Sequence, residues 1–143
     1  MEKNGRERVA VTFYVWSSFH YDTYIGSYYL LLEYGSYKKF REHHHMKGAS
    51  NTQLVLLGVI EGLKMLRRPA EITVCSNPLF GITNIYDKTG ALREKIKGRN
   101  SVEKETIKTL LQSGGHHMKN IYDDYAKQIL MDEKLLIGET EIQ

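Results

Sequence analysis

The sequence predicts a single α/β domain built on a mixed five-stranded sheet, three antiparallel strands followed by parallel ones, with helices on its faces. Three features carry this expectation. Segments rich in Val, Phe, Tyr and Leu recur up to His44 with short turns between them, the pattern of an antiparallel meander. At Ser50 the apolar period lengthens from two residues to three or four. Beyond it, strand-like and helical stretches alternate, and a helix crossing between two strands requires a parallel pair beside the meander.

Taken in order, residues 1–7 are polar and charged and read as a frayed end. Arg8–Trp16 is a first strand, because β-branched and aromatic residues suit a pleated surface. Ser17–Thr23 reads as a turn. Ile25–Tyr34 is a second strand, ended by Gly35, and Tyr37 to about His44 is a third. Leu54, Leu57, Val59, Ile60, Leu63 and Leu66 form a wide helical stripe. Ser50 caps that helix, with Gln53 placed to reach back in a capping box, and Pro69 ends it. Glu71–Ser76 follows as a buried strand. Asn77-Pro78 reads as an N-cap and first-turn proline for a helix over Pro78–Tyr86. Asp87–Asn100, with two glycines and many charges, reads as a mobile connection. Ser101–Glu105 is a helical turn, Thr106–Leu111 a last strand and Ser113–Gly115 a loop. Met118–Met131 has helical spacing through Ile121, Tyr125, Ile129 and Leu130, and Leu135–Gln143 fits no one class.

With 143 residues the chain fits one domain, with a core over about residues 8–131 and a tail over 132–143. A hydrophobic share of 41% and a charged share of 26% describe a globular chain rather than a disordered one. A net charge of +3 permits nucleic-acid binding without requiring it. Cys75 is the single cysteine, so no disulfide forms within the chain and a reducing compartment is expected. Met1–Arg8 lacks the apolar stretch of a signal peptide, and no apolar run approaches the ~20 residues that cross a bilayer. The expectation is a cytoplasmic protein without a membrane partner.

Several features admit two readings. The ten tyrosines suit strand packing, the reading favoured because most fall in or beside predicted strands; base stacking is the functional alternative. His43-His44-His45 alternates between two faces of its strand, which sets the three against binding one ion together. Arg67-Arg68 and the cations of Lys88–Arg99 read as solvated surface or as phosphate contacts. Cys75, inside a buried strand, is given no catalytic role.

The stretch Ser50-Asn51-Thr52-Gln53-Leu54-Val55-Leu56-Leu57-Gly58-Val59-Ile60-Glu61-Gly62-Leu63 resembles the first-helix motif of ribonuclease H. Ile72–Asn77 is similar to that family's next strand and turn. The stretch from Ile107 through Gly114-Gly115-His116-His117 to Asp124 is similar to its last strand, mobile histidine loop and final Asp-bearing helix. The His-His loop also resembles divergent ribonuclease-H-like proteins of bacterial mobile elements. The likeness spans roughly Arg8–Ala126 and is clearest over Ser50–Asn77.

The resemblance implies hydrolysis of the RNA strand of an RNA/DNA hybrid by two divalent ions, which carboxylates hold. The four carboxylate positions fall on Trp16 or its neighbour Val15, on Val55, on Asn77, and on Asp124 or adjacent Asp123. Only the last keeps a carboxylate. The resemblance also places His116 in a product-release role, and Asn51, Gln53 and His117 against nucleic acid; capping accounts for Ser50 and Gln53 as well. The expectation is a degenerate nucleic-acid-binding module without two-metal catalysis, facing an RNA/DNA hybrid or structured RNA. One alternative is an active hybrid ribonuclease with Mg²⁺ or Mn²⁺ on Asp124, Asp123, Asn77 and a histidine such as His116. The other is a protein-interaction module, dimeric through a sheet edge and its tyrosines.

Overall fold

The computed structural model describes residues 7–47, 50–77, 79 and 85–142. β1 runs over Val9–His20, β2 over Ile25–Tyr34 and β3 over Tyr37–Lys47. These three form the meander. β1 is longer than the sequence pattern suggests, because Ser17–His20 keep pairing with Ile25–Tyr28 and the turn shrinks to Tyr21–Tyr24. The polar Ser17 is stable in a strand because its hydroxyl donates to the Asn51 carbonyl at 3.1 Å. Gly35 takes the positive φ of 58° that the β2–β3 turn needs. β3 passes His44 through a register shift opposite Gly26 and Tyr28, with His45 at φ 62°.

α1 spans Asn51–Met65, and Ser50 Oγ accepts the Gln53 amide at 3.1 Å as its N-cap. The reciprocal half of a capping box is absent: Gln53 Nε2 donates instead to Glu103 Oε2 at 3.1 Å. β4, Ala70–Asn77, runs parallel to β1, with Val9 opposite Ala70 and Trp16 opposite Asn77. The helix expected over Pro78–Tyr86 lies mostly outside the described residues. Its described end is not helical, since Tyr86 bridges to Leu92.

Asp87–Asn100 is a built turn rather than a loose connection. Asp87 Oδ1 accepts from Thr89 N, Thr89 Oγ1 and Ala91 N at 2.6–3.1 Å, and Ile96 is buried. Three hydrogen bonds to a carboxylate hold the Asp87 pKa below the usual range, chiefly through the Thr89 hydroxyl.

The largest departure from the sequence expectation follows. Thr106–Leu111 is not a strand but the middle of α2, Ser101–Gly114, which buries Lys104, Ile107 and Leu111 at helical spacing. The last strand is β5, His117–Tyr122, where a helix from Met118 was expected. β5 pairs parallel with β4, Glu71 opposite His117 and Ser76 opposite Tyr122. α3 then spans Ala126–Ile142 and takes in most of the tail.

The sheet order is β3-β2-β1-β4-β5. The molecule is thus α/β, with a mixed five-stranded sheet flanked by helices. α1 and α2 cover one face, over a core that includes Phe13, Leu30, Val59, Val74 and Ile107. The register puts Tyr14, Trp16, Tyr29, Leu31 and Cys75 on the opposite face, under α3. Among the described residues no helix is long and apolar enough to cross a membrane.

Candidate functional site

Three parallel strands give the sheet a direction. β1, β4 and β5 bring Trp16, Asn77 and Tyr122 to one end, together with the N-termini of α1 and α3. In open α/β sheets, ligands bind outside the carboxyl ends of the strands.

Trp16 stands at the centre of this end. Its ring stacks on Tyr29 of β2, centroids 5.2 Å apart and planes 26° from parallel. Lys127 of α3 places its Nζ over the indole, 4.8 Å from the centroid, and Lys134 lies 5.7 Å from the Tyr29 ring. Val15, the neighbouring position, faces the other way and is fully buried, as is Val55. Neither Val15, Val55 nor the indole can offer an oxygen to a hard cation.

Asp123, rather than Asp124, is tied into the site. Its amide donates to the Ser76 carbonyl at 3.1 Å, which seats it beside the end of β4. Its Oδ1 accepts the Tyr125 amide at 2.8 Å, an Asx turn leading into α3. Asp124 is exposed. Asp123 acts on two groups on the α3 face. Burial first, then Asp123 and Glu33, push the Cys75 thiol up to about 11. Burial first, then Glu33, Cys75 and Asp123, raise the Tyr14 hydroxyl. Cys75 is therefore a protonated, buried thiol rather than a nucleophile.

The polar residues at the start of α1 are turned inward. Asn51 accepts the Ser17 hydroxyl through its backbone oxygen at 3.1 Å and through Oδ1 at 3.2 Å, joining α1 to β1. Gln53 joins α1 to α2 through Glu103.

The two loop histidines are not at this end. His116 precedes β5 and His117 begins it, roughly 17 Å along the strand from Tyr122. His116 is buried, and its Nδ1 accepts the Ala70 amide at 3.0 Å, closing the start of β4. Burial first, and the Arg8 charge second, hold its pKa below the usual histidine range. His117 pairs through Nδ1 with Glu71 Oε2, beside the Tyr86 ring. A ligand set of Asp124, Asp123, Asn77 and His116 is therefore not assembled. Among the described residues no group of three or more His, Cys, Asp and Glu is placed to hold a metal ion. The described side chains do not fit a pair of divalent ions.

What this end does offer is aromatic surface. Tyr21 and Tyr24 at the β1–β2 turn are 71% and 66% exposed, and Tyr122 and Tyr125 between β5 and α3 are 55% and 73% exposed. Phe19 braces the first two, with ring centroids 4.9 and 6.4 Å away. The Trp16–Tyr29–Lys127 arrangement escapes sequence reasoning, because Lys127 reaches Trp16 only when α3 lies across β1. A second polar centre was missed for the same reason. Glu61 of α1 accepts the Tyr28 hydroxyl at 2.7 Å, meets His43 Nε2 at 2.9 Å and lies 3.7 Å from Arg41. His44, on the opposite face, meets Ser27 and Glu42 instead.

A scan against protein-family models finds no match for this chain, and a search of curated proteins also finds none.

Proposed function

We propose that the chain is a ribonuclease-H-like module that binds nucleic acid at the carboxyl ends of β1, β4 and β5 and does not carry out two-metal hydrolysis. The observation that carries the reading is Trp16, stacked on Tyr29 beneath Lys127, in the strand position where the family places its first carboxylate. The strand order β3-β2-β1-β4-β5, antiparallel and then parallel, is compatible with that family's arrangement. The replacement changes the preferred ligand from a hard cation to a planar, electron-poor or phosphate-bearing group. Tyr21, Tyr24, Tyr122 and Tyr125 extend the aromatic surface around it. Bases stack on such rings with about 1–3 kcal/mol each, and only unpaired or splayed bases can do so. Lys127 then meets the phosphates.

The test is anisotropy of a labelled RNA/DNA hybrid and a labelled single-stranded RNA at moderate salt. Cleavage is followed in the same tubes, in Mg²⁺ and then Mn²⁺. Saturable binding without turnover is expected. Trp16→Ala should weaken it by about 1–3 kcal/mol, roughly 5- to 150-fold. Tyr125→Ala, at an exposed position, should weaken it without touching the fold. No binding at moderate salt would refute the reading and direct attention to a protein partner. Mn²⁺-dependent cleavage that disappears in Asp124→Asn or Asp123→Asn would show a rebuilt metal site.

A further inference from the structure

At the opposite end of the sheet, on the α1 face, lies an open groove of about 510 Å³. That volume falls within the range of ligand-binding clefts, roughly 300–1,000 Å³. Val9, Val11 and Leu32 of the sheet form its floor, and Met65 and Leu66 at the end of α1 form one wall. Its rim is basic on both sides. Lys39 and Arg41 rise from β3, while Arg67 and Arg68 face them from the segment between α1 and β4. Among the described residues no acidic one lines it.

The chain's net charge is only +3, so four cations around one apolar floor are a concentration rather than an average. Their internal partners are few. Arg41 lies 3.7 Å from Glu61, and Arg68 donates to the Tyr34 hydroxyl at 3.2 Å. Among the described residues no carboxylate pairs with Lys39, Arg67 or Arg68. A solvated basic surface would have no reason to enclose hydrocarbon between its cations.

We infer that this groove binds an acidic amphipathic segment of a partner protein, with apolar side chains on the floor and carboxylates against the two cationic walls. Charge complementarity selects the occupant. A ligand with one anionic group would leave one wall unpaired, whereas carboxylates flanking an apolar stripe meet both. A nucleic-acid backbone would set phosphate oxygens against Val9, Val11 and Leu32, which desolvates charge without return. The site is separate from the aromatic end, so it stands or falls independently of the nucleic-acid reading.

The experiment uses the full chain and a fluorescein-labelled synthetic peptide in which Leu anchors are flanked by Glu. Two control peptides carry Gln for Glu or Ser for Leu. Saturable anisotropy is expected with the first peptide, and binding roughly tenfold or more weaker with either control. Arg67→Glu/Arg68→Glu should abolish binding, and Lys39→Glu should weaken it, with thermal melting unchanged in each. Should the double charge reversal lower the melting temperature, Arg67→Gln/Arg68→Gln takes its place and should weaken binding by the same logic. Lys95→Glu/Lys97→Glu, the same charge change on exposed residues elsewhere, should leave binding intact. The inference is overturned by any of four results: no binding, equal binding of the Ser-for-Leu peptide, equal loss in the Lys95/Lys97 control, or displacement of the peptide by a single-stranded oligonucleotide that needs Arg67 and Arg68.

Discussion

Gly62→Ala measures how closely α1 lies on β1. At an ordinary interior helix position this change stabilises by roughly 1 kcal/mol, because alanine has less backbone freedom to lose. At Gly62 an added Cβ would stand 2.7 Å from Phe13 Cε2, 2.8 Å from Cζ and 3.1 Å from Cδ2. Carbon atoms rest at about 3.5–4.0 Å, so the ring or the helix must move by most of an ångström. The ring cannot swing aside, since Phe13 is fully buried at the centre of the core. Overpacking of that kind costs about 1–3 kcal/mol, which outweighs the propensity gain and leaves a net loss of about 1 kcal/mol. Urea unfolding of the wild type and Gly62→Ala reads this directly. Phe13→Leu in the Gly62→Ala background should recover part of the loss, so the two changes should couple favourably. A Gly62→Ala variant about 1 kcal/mol more stable than wild type would refute the reasoning. The burial of Val55 and the Ser17–Asn51 contact depend on the same seating of α1 and would fall with it.

Val55→Glu, which installs the carboxylate of the resembled family, should destabilise the chain by about 3 kcal/mol or more, because it exchanges a fully buried methyl pair for an unpartnered carboxyl. A melting temperature that rises with added Mg²⁺ in this variant would contradict that. His116 makes stability depend on pH. Its folded pKa is depressed, so the unfolded chain takes up the proton first, and the contribution is complete above the unfolded value near 6.5 and lost as pH falls below it. Urea unfolding should therefore show a smaller drop between pH 7.5 and 5.5 in His116→Ala than in wild type. That variant should also lose about 1–3 kcal/mol at pH 7.5 from the orphaned Ala70 amide. Cys75, buried and pushed up to about 11, should resist alkylation at pH 8 in the folded chain and react at once in urea; fast reaction of the native thiol would show that α3 does not cover it.

The meander, α1 and β4 were legible because each combines a clean period with a local stop or start signal. Gly35 turns β2 into β3, and Ser50 caps α1. Beyond β4 the signal weakens for a physical reason. The buried stripe of α2 is Lys104, Ile107 and Leu111, and its first member is a lysine. A lysine buries its hydrocarbon stem while its amine seeks water, so a charged letter hides a core position. Burial lowers the Lys104 pKa accordingly. What remains, Thr106–Leu111, is rich in β-branched and leucine residues and imitates a strand. β5 fails in the opposite sense. Its six residues are too few to establish alternation, and Ile121, Tyr125 and Ile129 share a four-residue spacing across a strand end, a turn and a helix. Exchanging these two elements moves His116 and His117 from a loop after the last strand to its beginning, at the far end of the sheet.

The same exchange decides which residues of the candidate site could be read in advance. Asn77 and Trp16 stand side by side in register because the parallel pairing of β1 with β4 is local to well-patterned strands. The choice between Asp123 and Asp124 rests on one backbone hydrogen bond to Ser76, which no sequence period encodes. The tyrosines divide along the same line. Tyr28 turns its hydroxyl to Glu61 between the sheet and α1, and serves packing. Tyr21, Tyr24, Tyr122 and Tyr125 are the same residue type and differ in position: the first two lie in the β1–β2 turn, and the last two lie at the end of β5 and in the turn before α3, all of them exposed. Position at a turn or strand end, more than tyrosine count, therefore separates rings that hold the fold from rings left exposed. Trp16, at the point where β1 and β4 run out together, belongs to neither group: strand pairing brings it to this end, while Tyr29 stacks on its ring and Lys127 lies over it.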